Sequence, residues 1–150
     1  MIYIVSVIVF LLDFATKFWA MSTLIFHQPV PVFPYFNFYL TYNRGVSFSL
    51  LSAQSATGVW FLIGLTGAIS ALIIYFIQKE SETLPKIALA MVLGGALGNL
   101  IDRIRFGYVI DFLDFYLEQY HWPAFNIADS AICIGACLVL YQYVRREKIR

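Results

Sequence analysis

Four apolar stretches, each close to the length a helix needs to cross a hydrocarbon core, confine this chain to a membrane. Of its 150 residues 61% are hydrophobic and 13% charged, with a mean hydropathy of +0.76, far from the balance of a soluble domain. The spans are read at about 1–20, 58–77, 87–103 and 126–144, within one domain covering 1–150. Residues 1–12, MIYIVSVIVFLL, lack the basic start and small-residue cleavage site of a secretory signal, so they are read as part of a retained first span. A formal net charge of +1 offers no electrostatic case for nucleic acid.

The connections carry the other signals. Pro29, Pro31 and Pro34 break any helix after the first span, and FNFYLTYNRGVSFSLL mixes aromatic, β-branched and hydroxyl residues in partial alternation. A small sheet on the membrane surface, a cradle over about 28–56 anchored by aromatics, is expected there. The GGALG run at 94–98 lets neighbouring backbones approach the third span closely. Residues 106–125 are aromatic, acidic and interrupted by Pro123, and are read as an outer loop.

Basic residues set the orientation. Lys79, Lys86, Arg145, Arg146, Lys148 and Arg150 fall on one side, against Arg44 alone in 21–56 and none in 106–125, so both termini are expected in the cytoplasm. At 1.5 Å per residue Asp13 then lies roughly 20 Å up the first span, in its outer part. Asp102 ends the third span on that side, Asp111 lies in the outer loop and Asp129 opens the fourth span. Four carboxylates at one depth support a shared, water-accessible site near the outer leaflet.

Each constellation has a structural and a functional reading. Asp13 and Lys17, four apart with the acid first, read as an intrahelical ion pair rather than a proton shuttle. Asn43, two residues before Gly45, suits a turn or a substrate hydrogen bond, and both stay open. Asn99, Asp102 and Arg103 form a polar cap on the third span; Arg103 is suited to a lipid phosphate or a substrate carbonyl. Asp111 has no basic neighbour in sequence, and Asp129 follows Asn126 on one helical face.

Two carboxylates forced together in a low-dielectric site cannot both ionise, which is the basis of aspartic-protease chemistry. A satisfied polar pair, or for Asp129 a helix N-terminal acid, is the open alternative. Ser47, Ser49, Ser52 and Ser130 have no histidine partner in a recognisable pattern, and His27 and His121 read as interface residues. Cys133 and Cys137, four apart on one helix, are poorly placed for a disulfide, and no metal-ligand spacing is visible.

DFATK (13–17), NRGVSF (43–48), GGALGNLIDR (94–103), GYVIDF (107–112) and FNIAD (125–129), in this order, resemble the lipoprotein, or type II, signal peptidases of bacteria. The resemblance implies an aspartic peptidase of the plasma (inner) membrane that needs no cofactor and no metal. It would cleave a prolipoprotein just before its diacylglyceryl-modified cysteine. It implies four transmembrane helices, an extracytoplasmic β-cradle and a short periplasmic helix, an all-α membrane fold apart from the cradle. It places the catalytic pair on Asp111 and Asp129, supporting polar residues on Asn43, Asn99, Asp102, Arg103 and Asn126, and a structural pair on Asp13 and Lys17. Prolipoprotein and membrane lipid are the expected partners of a monomer. The rival from another class is a small proton-coupled transporter or accessory subunit, which would place its carboxylates near the midplane between repeats.

Overall fold

The computed structural model describes residues 1–45 and 56–147. Helices α1 (Ile2–Thr23), α2 (Ala56–Lys79), α3 (Thr83–Phe106) and α4 (Ile127–Glu147) each contain a segment long and apolar enough to cross a bilayer. Helix α3 is the hub and packs against the other three.

Side-chain size explains that position. A Cβ on Gly94 would strike the backbone of Ser6 on α1, one on Gly95 the carbonyl of Ala128 on α4, and one on Gly135 of α4 the carbonyl of Ala88 on α3. Lipid tails are as apolar as leucine, so helices in a membrane associate through close packing of this kind. Where the backbones meet, the Ser6 hydroxyl donates to the Ala90 carbonyl at 2.8 Å.

Helix α3 extends beyond the expected 87–103 at both ends. It stops after Phe106 because Gly107 adopts φ +79° and donates its N–H to the Arg103 carbonyl. Asp102 and Arg103 therefore lie a turn inside the helix rather than at its end.

At the end of the bundle reached by α1 and α3 lies an antiparallel sheet in the order β1 (Val30–Phe33), β2 (Phe36–Asn43), β3 (Val109–Leu117), β4 (Tyr120–His121). Four spanning helices with a small sheet agree with the expected fold class, but half of the sheet comes from the segment read as a loop. Strand β3, VIDFLDFYL, was hidden by Asp111 and Asp114, because acids are depleted from strands. Here both are buried and hydrogen-bonded.

Asp111 thus sits opposite Thr41 in a ladder, not in a loop. Among the described residues no shorter helix accompanies the four; Ser47, Ser49 and Ser52, the end of the expected cradle, Lys148 and Arg150 lie outside them.

Two contacts position the site. Ala20 on α1 packs with Leu40, Ile110 and Phe112, and Trp19 meets Phe38 and Phe112 edge-on, seating the sheet on the bundle. Phe112 and Leu113 both donate their N–H to the Phe125 carbonyl, and Phe125 donates back to Leu113. This bridge holds the start of α4 beside β3.

Candidate active site

A buried ion cluster forms the base of the site. Lys17, 2% exposed, places Nζ 2.7 Å from Asp13 Oδ2 and 2.8 Å from Asp102 Oδ2, and donates to Asn99 Oδ1 at 3.0 Å. The ammonium thus has two carboxylates and an amide oxygen around it in a region where a lone charge would be costly. Asp13 Oδ1 accepts the N–H of Ala128 at 2.8 Å, and Asp102 Oδ2 accepts that of Ile110 at 3.2 Å. The pair seen at i,i+4 is therefore one corner of a triad joining α1, α3, β3 and the first turn of α4. Nothing in the spacing signalled the contacts to Ala128 and Ile110.

Two asparagines transmit this rigidity upward. Asn99 receives Lys17 on Oδ1 and donates from Nδ2 to Asp129 Oδ1 at 2.7 Å. Asn126 precedes α4 as its N-cap. Its Oδ1 accepts the N–H of Asp129 at 2.9 Å, while Asp129 Oδ2 accepts the N–H of Asn126 at 3.3 Å. This reciprocal capping box holds the Asp129 carboxylate in place. Asn126 Nδ2 meanwhile donates to Asp111 Oδ1 at 2.7 Å, with Asn99 Oδ1 and the Ile110 carbonyl each 3.2 Å away. One side chain, 0% exposed, thus caps the helix that carries one aspartate and holds the other.

Asn43 forms the expected turn and also reaches Asp111, a partner its spacing did not signal. Its Oδ1 accepts the N–H of Gly45 at 2.9 Å, a turn made possible by φ +87° at that glycine, and its amide hydrogen-bonds Asp111. Arg103 donates to the Asn99 carbonyl at 3.2 Å, within electrostatic reach of Asp129, Asp111 and Asp102.

The paired aspartates differ in surroundings. Asp111 is 1% exposed; burial, and then the charge of Asp129, push its carboxyl up to about 7. Hydrogen bonds from Asn43 and Asn126 and the charge of Lys17 oppose that rise. Asp129 is half-buried and borders a cavity of about 320 Å³ lined by Trp122, Phe125, Ser130, Cys133 and Ile134. One carboxyl is enclosed and inclined to keep a proton, and the other faces open, largely apolar space.

A second polar cluster escaped the sequence reading. Asp114, buried on β3, accepts from Asn37 Nδ2 at 2.9 Å and lies 2.8 Å from His121 Nδ1. His121 is thus tied to a carboxylate, and only the strand pairing brings the three together. Cys133 and Cys137 are unpaired and exposed. Among the described residues no group of three or more His, Cys, Asp or Glu side chains is placed to hold a metal ion.

Four spanning helices, a sheet on one end and a carboxylate pair held between asparagines define a class: a membrane-embedded protein equipped for acid–base chemistry. Comparison with known proteins narrows it. A family model described as signal peptidase (SPase) II matches residues 5–145, and the chain belongs to that family of aspartic peptidases.

Proteins named lipoprotein signal peptidase are similar throughout. That of Ralstonia nicotianae is 46% identical over 144 residues, covering 95% of this chain and 83% of the relative. That of Teredinibacter turnerae is 45% identical over 149 residues, covering 98% and 89%. A bacterial membrane enzyme solved by the in meso method at 2.3 Å superposes with a TM-score of 0.87 at 29% identity, over 98% of this chain and 89% of that one. A second, at 1.9 Å, gives a TM-score of 0.83 at 31% identity, over 93% and 90%. Membership of this family sets the transporter reading aside.

Proposed function

We propose that Asp111 and Asp129 are the catalytic pair with which this signal peptidase II removes signal peptides from prolipoproteins, cleaving before the diacylglyceryl-modified cysteine. The observation that carries the assignment is the contrast within the pair. Asn126 joins both carboxyls, yet Asp111 is enclosed with its carboxyl pushed up to about 7 while Asp129 borders the apolar cavity.

Asp111 then serves as the acid of the pair and Asp129 as the base. Asp129 takes a proton from water as the water oxygen attacks the scissile carbonyl carbon, and Asp111 donates a hydrogen bond to the carbonyl oxygen. When the tetrahedral intermediate collapses the C–N bond breaks and the amine leaves with a proton from the pair, which titrates as a unit. Arg103 is within reach to offset negative charge as it develops.

The substrate explains the surroundings. Acyl chains hold the lipidated cysteine at the leaflet surface, so a dyad at the sheet end of the bundle meets the scissile bond at a fixed depth. The lysine and arginine distribution supports cytoplasmic termini and a site near the outer leaflet of a bacterial inner membrane. The four carboxylates (Asp13, Asp102, Asp111, Asp129) and three amides (Asn43, Asn99, Asn126) of the site come from one chain, which supports action as a monomer.

The test is cleavage of a diacylglyceryl-modified prolipoprotein by protein purified in detergent. Wild type cleaves, and Asp111→Asn and Asp129→Asn, each verified as folded, are expected to lose activity by at least about a thousandfold, the scale set by removing a charge or proton from the transition state. Full activity in either folded variant refutes the pair and turns attention to Asp102.

A further inference from the structure

The Asn37–Asp114–His121 cluster takes no part in the chemistry above, yet it lies at a cavity of its own. Pro29, Tyr39, Asp114, His121, Trp122 and Pro123 line a space of about 460 Å³ on the sheet, which shares Trp122, and no other lining residue, with the cavity beside Asp129.

The donors and acceptors there are one-sided. A carboxylate only accepts, so His121 Nδ1 carries the proton it shares with Asp114. Asp114 offers about four lone-pair sites and, among the described residues, receives donors from Asn37 and His121. A buried carboxylate with acceptor capacity to spare beside a tyrosine and a tryptophan is a recognition site for a cation that carries N–H donors. A quaternary ammonium would satisfy the rings but bring no hydrogen for the carboxylate, and an anion would meet it directly.

The location selects the source of that cation. Next to the cavity, around a hollow that shares His121 and Trp122 with it, large side chains point outward: Tyr35 is 59% exposed, Leu117 64%, Tyr120 70% and Trp122 70%. The two turns that carry Tyr35 and Leu117–Tyr120 are joined, since Tyr116 donates its N–H to the Tyr35 carbonyl. On a protein whose helices span the bilayer, such a rim marks the headgroup layer, where amphipathic rings reside.

We propose that this cavity binds the primary ammonium of an aminophospholipid headgroup, with Asp114 as the charge partner and Tyr39, His121 and Trp122 as walls. The site is independent of the catalytic reading and is tested without cleavage.

The full chain, purified in detergent, is titrated with dihexanoyl phosphatidylethanolamine, phosphatidylcholine and phosphatidylglycerol, and the bound lipid is counted by native mass spectrometry. Phosphatidylethanolamine is expected to bind at least about tenfold more tightly than the other two, the worth of one charge-assisted hydrogen bond. Asp114→Asn, verified as folded, is expected to erase that preference, and Trp122→Ala, a change on an exposed side chain, to weaken it severalfold. Equal affinity for the three headgroups, or an unchanged preference in folded Asp114→Asn, overturns the proposal. Should Asp114→Asn fail to fold, Trp122→Ala decides, and an undiminished preference there overturns it. Tighter binding of N-acetyl-lysine amide than of phosphatidylethanolamine would assign the cavity to a polypeptide and equally overturn the lipid.

Discussion

Asp111 is held in the protein at some thermodynamic disadvantage, and this makes two predictions at the scale of a single residue. In the unfolded chain its carboxyl titrates near 3.8, and in the folded protein near 7. Below the first value both states hold the proton and the site costs nothing. As pH rises between the two, the unfolded chain gives up its proton and the folded one does not, so stability falls until about pH 7 and then levels off. Asp111→Asn removes the titration while keeping an acceptor for Asn126, and is expected to raise stability at pH 8 by an amount on the order of 2–4 kcal/mol, checked by thermal or denaturant unfolding. Cleavage by the wild type should decline at the upper end of that range, as pH passes upward through about 7 and the enclosed acid loses its proton. An activity that instead rises through pH 8 would contradict Asp111 as the acid. Both aspartates were visible as candidates in the sequence because ionisable groups are scarce in so apolar a chain. Their connection through Asn126 was not, since a capping box is recognised only once α4 is known to begin at Ile127.

At the scale of helices and strands, the strongest dependence falls on α3. Gly98 has no room for a methyl group, whose carbon would lie 2.5 Å from Asp13 Oδ2, whereas one on Gly64 of α2 meets nothing within 4 Å. Gly98→Ala should therefore disrupt the ion cluster and lower stability by roughly 1–3 kcal/mol, as overpacking does, while Gly64→Ala should be neutral or gain up to about 1 kcal/mol of helix propensity. Unfolding of the two variants in one detergent separates them. Lys17→Met leaves two buried carboxylates without their shared cation and should cost about 3–5 kcal/mol, read in the same assay. The helices were legible because each has its own apolar run, and the glycine run in α3 announced close packing. Strand β3 was not, for its two acids interrupt the alternation that identifies a strand. They are accommodated by Asn126 and by Asn37 with His121, partners drawn from other parts of the chain.

For the molecule as a whole, orientation and depth govern what the site can reach. The proposed cytoplasmic termini predict that a fluorescent reporter fused after Arg150 is fluorescent and an alkaline phosphatase fused at the same point inactive; the opposite pattern would turn the site to the inner leaflet. Depth selection by lipid predicts that unlipidated precursor is cut far more slowly than the diacylglyceryl form in mixed micelles, and equal rates would rule it out. The route by which the site comes together matters as well. Asp13 on the first helix finds the N–H of Ala128 on the last, 115 residues later. A ribosome delivers α1 long before α4, so the Asp13–Lys17 pair enters the membrane early and its final partners arrive only at the end of synthesis. On the proposed assignment, a protease able to cut membrane-anchored chains is thereby born inactive. Its carboxyls are aligned only after the last helix has been made, so a chain that stalls before it lacks Asp129 and is expected to release no hydrolytic activity.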